Sequence, residues 1–136
     1  MGGFLGIKDI QKSETKDNIT ISIKNCYVYM DYQIFNVEVS NLTDNTIKLA
    51  KNNDGQEIYL QDSNDIKFNA MFNENIEDDF IIEKNKKKNL QIKFSNSYRI
   101  DVGLKNISFS NIIKNYEQYK QELDNYKDII DIEIKL

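Results

Sequence analysis

The chain has 136 residues, a formal charge of −4, 40% hydrophobic residues and one cysteine, with no histidine, tryptophan or proline. This length and composition suit one folded domain with a real core rather than a disordered chain. The charge gives no general attraction to nucleic acid or an anionic membrane. The missing histidine removes the commonest general base near neutral pH and the commonest zinc ligand.

Taken in order, residues 1–17 open on small and apolar positions and then turn polar, which reads as a flexible leader or linker. They lack the basic start and long apolar stretch of a secretory signal. The glycines Gly2, Gly3 and Gly6 do not have the spacing of a phosphate-binding loop. From Ile19 to Tyr29 the chain alternates: Ile19, Ile21 and Ile23 on one side, Thr20, Ser22 and Lys24 on the other. Asp31-Tyr32 turns it back into a second strand, where Phe35, Val37 and Val39 alternate with Asn36, Glu38 and Ser40. This second strand is expected at the centre of the fold.

A polar turn, Asn41 to Asn45, leads to a short strand from Ile47 to Ala50. Asn52-Asn53-Asp54-Gly55 is the strongest turn signal, because Asp-Gly readily supplies positive φ. Strands are expected from Glu57 to Gln61 and from Ile66 to Phe72, with a turn at Asp62 to Asp65. The acidic loop Asn73 to Asp79 is followed by a short apolar piece, Phe80-Ile81-Ile82. The basic tip Lys84 to Lys88 feeds a strand in which Leu90, Ile92 and Phe94 share a face. Between Ile100 and Phe109 the apolar positions switch from even to odd, which predicts a bulge at Gly103 to Asn106. The period then becomes helical. Ile112, Ile113, Tyr116, Tyr119, Leu123 and Tyr126 predict an amphipathic helix over 111–127, with Ser110 as its N-cap. A terminal strand over 129–136 places Ile130, Ile132, Ile134 and Leu136 on one face.

About seven or eight short strands separated by turn residues predict a mainly β fold, an antiparallel immunoglobulin-like β-sandwich. The C-terminal helix and last strand are additions to it. Residues 18–136 are expected to form one domain. No apolar run reaches the roughly 18 residues that a membrane helix needs.

Several groups are candidate sites. Tyr27, Tyr29 and Tyr32 offer an aromatic platform for a sugar or peptide, since tyrosine has an apolar body and a polar tip. The plainer reading is ordinary sheet surface. Lys84, Lys86, Lys87 and Lys88 offer a site for a polyanion, or only a solvated tip that discourages aggregation. Glu74, Glu77, Asp78 and Asp79, and separately Asp62 with Asp65, supply carboxylates of the kind calcium takes, but neither set matches an EF-hand loop. Cys26 reads as a small buried hydrophobe; Ile23-Lys24-Asn25 before it is not a lipidation signal. No Ser, Thr or Cys has a histidine to activate it, so histidine-based triads are excluded. Nothing selects a glycosidase-type carboxylate pair from the acidic residues. The reading is therefore non-catalytic, with no cofactor and no nucleic-acid partner.

Over Ile19 to Phe109 the order of features resembles the immunoglobulin-like (telokin-like) domains of unknown function found in lipoproteins and membrane-anchored surface proteins of Gram-positive bacteria. The resemblance rests on FNVEVSNLTDNTI as a strand-Asn-turn unit and NNDGQEIYLQDSN as an Asp-Gly hairpin. It rests further on FIIEKNKKKNLQIKFSNSYRIDVGLKNISF as a turn, a strand with a terminal Phe, and a closing strand. The chain departs from the family in the lysine-rich turn, where Pro-Gly is usual, and in everything after Ser110. The resemblance implies an accessory binding or scaffolding domain at the cell surface, held to a membrane only through a segment outside this chain. Its partner would be a protein or another envelope component. The competing expectation is a cytoplasmic regulatory or immunity-type protein that docks through the edge strand 130–136.

Overall fold

The computed structural model describes residues 3–49, 58–71, 80–95 and 103–136. Among them the chain forms ten strands: β1 (Phe4–Lys16), β2 (Ile19–Tyr29), β3 (Tyr32–Asn41), β4 (Ile47–Lys48), β5 (Ile58–Asp62), β6 (Lys67–Met71), β7 (Ile81–Ile82), β8 (Lys86–Ser95), β9 (Leu104–Ile113) and β10 (Ile129–Lys135). One helix, α1 (Tyr116–Glu122), and a single 3-10 turn, Leu123–Asn125, lie between β9 and β10. The strands make one antiparallel sheet in the order β1-β2-β3-β8-β6-β5-β9-β4-β7, with β10 also paired to β9. β6 joins the two parts, because it pairs with β5 on one side and β8 on the other. The fold is thus mainly β and antiparallel, with a short C-terminal helix and a final strand. The Asn52–Gly55 turn and the acidic loop at 73–79 lie outside the described residues.

Alternation builds one core from both parts of the sheet. β2 gives Ile19, Ile21 and Ile23; β3 gives Phe35, Val37 and Val39; β8 gives Leu90, Ile92 and Phe94. β5 adds Ile58 and Leu60, β9 adds Ile107 and Phe109, and β10 adds Ile132 and Ile134. Phe35 and Phe94 meet edge to face, with ring centroids 5.5 Å apart. No hydrogen-bonded ladder closes β1 onto β10 among the described residues, yet the two strands lie side by side. The Lys16 Nζ donates to the Asp131 carbonyl across that seam at 3.3 Å.

Four expectations are corrected. Residues 1–17, read as a leader, contain β1, which pairs with β2 along most of its length. Its side chains are nearly all exposed and only Ile10 packs against the core, so polar composition hid an edge strand. Ten strands replace seven or eight; the two beyond the expectation are β1 and the short β7. The helix is shorter than 111–127: Ile112 and Ile113 end β9, where both are buried. Finally, its N-cap is not Ser110, which lies in β9, but Asn115, whose side chain accepts a hydrogen bond from the Gln118 N–H at 3.1 Å. The helix buries no residue. It is held at its ends, by the Tyr116 N–H on the Thr46 carbonyl and by the buried Tyr126, whose hydroxyl accepts from the Asn115 N–H at 2.9 Å.

The bulge expected in β9 is present. Gln61 pairs with Asn106 and Asp62 with Leu104, so Lys105 is the extra residue. A second bulge sits in β2. Ile23 pairs with Val37 and Asn25 with Asn36, leaving Lys24 without a partner in β3. One inserted residue reverses which side chains face the core. Ile19, Ile21 and Ile23 point inward before Lys24; Cys26 and Val28 point inward after it.

Candidate functional site

The β2 bulge decides where the tyrosines go. Because Cys26 and Val28 turn inward, Tyr27 and Tyr29 turn outward, onto the outer face of β1, β2, β3 and β8. The pairing register lays that face out in rows. Phe4 lies opposite Tyr29. Ile7, Tyr27, Ile34 and Lys93 form the next row. Asp9, Asn25, Asn36 and Gln91 form the one after it, and Ser13, Ser22, Glu38 and Asn89 the one after that. The face therefore grades from aromatic and aliphatic at one end, through amides, to hydroxyls and charges at the other.

At the aromatic end, Tyr29 and Tyr32 stack with centroids 4.5 Å apart, and Phe4 meets Tyr29 edge-on at 5.4 Å. The Lys93 ammonium lies 4.1 Å from the centre of the Tyr32 ring, close enough for a cation–π attraction. Phe4 is 56% exposed and Ile7 60%. Sequence reasoning missed both because residues 1–17 read as a leader, and it missed Lys93 because that residue reaches Tyr32 only through the pairing of β8 with β3. The signal of Phe4 and Ile7 lies in pairing with β2, which a sequence read locally does not display.

In the amide row, the Gln91 side-chain NH2 donates to the Asn36 carbonyl at 3.2 Å, and the Asn36 NH2 donates to the Asn25 carbonyl. A shallow groove runs along this row, bounded by Tyr27 on one side and Asn89 on the other. At its margin Lys24 pairs with Glu38 at 3.4 Å.

The predicted lysines are split between a turn and β8. Lys84 sits in the turn closed by the Lys86 N–H on the Glu83 carbonyl, where Asn85 takes φ 57°. Lys86, Lys87 and Lys88 belong to β8, so successive side chains project to opposite faces. Lys87 lies opposite Ser40 on the outer face. Lys88 donates to the Ile81 carbonyl at 3.0 Å and, with Lys86 and Lys87, borders a groove beside β7.

Of the acidic candidates, Glu74, Glu77, Asp78 and Asp79 lie outside the described residues. Asp62 is buried, and its carboxylate accepts from the Asn64 and Ile66 N–H groups at 2.9 and 3.0 Å. Asp65 pairs instead with Lys105 at 2.6 Å. The two carboxylates are thus committed to closing the β5–β6 turn and to a surface ion pair. Cys26 is buried, and its thiol donates to the Gln33 carbonyl oxygen at 3.3 Å. Burial pushes its pKa up to about 12, with Lys8 pulling weakly the other way. A thiol held protonated is a poor nucleophile.

The terminal strand β10 sends Ile132 and Ile134 into the core and lies with its far edge beside β1. No helix among the described residues is long and apolar enough to cross a membrane. Compared with family models, curated proteins and solved structures, the chain matches none.

Proposed function

We propose that this chain is a non-catalytic binding or scaffolding domain of a bacterial cell-envelope protein, and that it binds through the outer face of β1, β2, β3 and β8. The observation that carries this reading is the cluster of Phe4, Tyr29 and Tyr32 under Lys93, with Ile7 and Tyr27 beside it. An exposed phenyl ring and an exposed isoleucine gathered with half-buried tyrosines at one end of a sheet face are what interaction surfaces are made of. Further support comes from the thiol, which is buried and protonated, and from Asp62, whose Oδ1 already accepts two backbone N–H groups. The curled sheet with a single core is consistent with an immunoglobulin-like sandwich in which β6 passes from one layer to the other. That architecture, with the strand-Asn-turn unit at Asn41, supports kinship with the telokin-like domains of Gram-positive surface proteins. Asn41 is fully buried there, donating to the Asn45 and Ile82 carbonyls and accepting from the Thr43 N–H.

Docking through β10 is the weaker reading, since the far edge of that strand faces β1. The test is cosedimentation of the purified chain with Gram-positive envelope fragments. Replacing Tyr27, Tyr29 and Tyr32 together by alanine is expected to abolish binding while the thermal transition persists. Undiminished binding by the triple variant would remove this face from consideration.

A further inference from the structure

We infer that the groove between Tyr27 and Asn89 takes an uncharged, polyhydroxylated chain, that is, a neutral oligosaccharide; this rests on the reading that the outer face binds. Three features of the groove select that ligand. The first is direction. The bonds run from Gln91 to Asn36 to Asn25, which leaves the Asn25 NH2 as a donor at one end and the Gln91 carbonyl as an acceptor at the other. A hydroxyl both donates and accepts, so a row of hydroxyls can engage both ends and the remaining amide hydrogens between them. The second is charge. The lysine at the groove margin, Lys24, is already paired with Glu38, and the other polar side chains lining the groove are amides and one phenol. An anionic ligand finds no unmatched positive charge there and meets the Asp9 carboxylate at the β1 end of the row, whereas an uncharged one meets neither penalty. The third is shape. The groove is shallow and open, and its row of amides crosses β2, β3 and β8 at the spacing of neighbouring strands, roughly 4.8 Å. A short run of linked rings can span such a row. Tyr27 supplies a flat apolar wall against which the C–H face of a sugar ring can pack.

The experiment is a titration of the 15N-labelled chain with cellohexaose, chitohexaose and maltohexaose, with an oligogalacturonate of similar length as the acidic control. At least one neutral hexasaccharide is expected to shift the side-chain amide signals of Asn25, Asn36 and Gln91, with the acidic control weaker. Tyr27→Ala and Asn36→Leu should each weaken binding by about tenfold, the loss of one ring contact or one pair of hydrogen bonds. Gln91→Ala, at an exposed position, gives the same readout should Asn36→Leu disturb the fold. Absence of shifts with all three neutral sugars overturns the inference, as does tighter binding of the acidic control or shifts confined to other residues. Envelope binding that is lost in the triple tyrosine variant, without any sugar-induced shift, would overturn this ligand assignment and leave the binding face intact.

Discussion

The outer surface of β1, β2, β3 and β8 and the outer surface of β6, β5, β9 and β10 follow the same alternation and carry different chemistry. On the first, rings and aliphatics gather at one end and amides bond to one another across three strands. On the second, Tyr59 has Lys67 seated 4.6 Å from its ring centre. Asn106 and Ser108 on that surface are buried and bonded to each other at 3.0 Å. Both surfaces cover the same core, so the demand to bury one side of every strand is met equally by each. The difference lies in what is left over. The second surface bonds Asn106 to Ser108 and buries the Asn106 side-chain carbonyl without a partner among the described residues. The first leaves the Asn25 NH2, the Gln91 side-chain carbonyl and the exposed Phe4 and Ile7 side chains available. A sheet's wet side is where composition is least constrained by folding, and so where binding can be installed.

The largest expected effect comes from the site that sets this contrast. Inserting one residue between Asn36 and Val37 would give Lys24 a partner in β3 and make both alternations continuous, turning Tyr27 and Tyr29 inward and Cys26, Val28 and Phe35 outward. One extra residue moves every following side chain to the other face. The insertion variant is expected to lose its cooperative thermal transition; a retained transition would mean that β3 bulges the extra residue out instead. Next, Phe94→Ala should cost about 4 kcal/mol in urea unfolding, since it empties a fully buried ring site. Tyr29→Ala, on the outer face, should cost only about 1 kcal/mol, the scale of a cross-strand pair. Comparable losses for the two would show that the outer rings belong to the core.

The third test uses pH. Cys26 keeps its proton in the folded chain up to about 12, against an ordinary thiol value of 9.0. Above the lower value the unfolded chain has released a proton that the folded chain retains. Stability therefore falls as pH rises from about 9 towards 12, by about 4 kcal/mol at the full extent of the shift. Cys26→Ala should flatten that alkaline limb, as read by denaturant melts across the range. The smallest effect concerns the second surface. Asn106→Leu removes a buried carbonyl with no partner at the expense of one bond to Ser108, and should gain about 1 kcal/mol. A loss instead would mean that a water or another group satisfies the carbonyl.

Much of this was legible in the sequence wherever burial was one-sided. Phe35, Val37 and Val39, then Leu90, Ile92 and Phe94, then Ile132 and Ile134 alternate in the chain and point inward in the fold. The even-to-odd switch before Ile107 announced the bulge at Lys105. By contrast, β1 buries almost nothing, so hydrophobic periodicity had nothing to report, and only its pairing with β2 makes it a strand. The β2 bulge was hidden because Cys26, Val28, Tyr27 and Tyr29 are all apolar enough to sit on either face. Ile112 and Ile113 fit a helical spacing equally well, and only their burial at the end of β9 separates the readings. Of the candidate site, the tyrosines could be seen in the sequence. The amide row could not, because Asn25, Asn36 and Gln91 come together only through the register of three strands.

The neighbourhood of β1 and β10 has a consequence for biosynthesis. Of the ten strands, β1 is synthesised before the other nine and lies beside β10, which is synthesised after them and brings Ile132 and Ile134 to the core. Until they arrive, a nascent chain holds the apolar side of β9 open to solvent. Completion of the core must therefore wait for β10, and the unfinished intermediate is the species that a chaperone would meet.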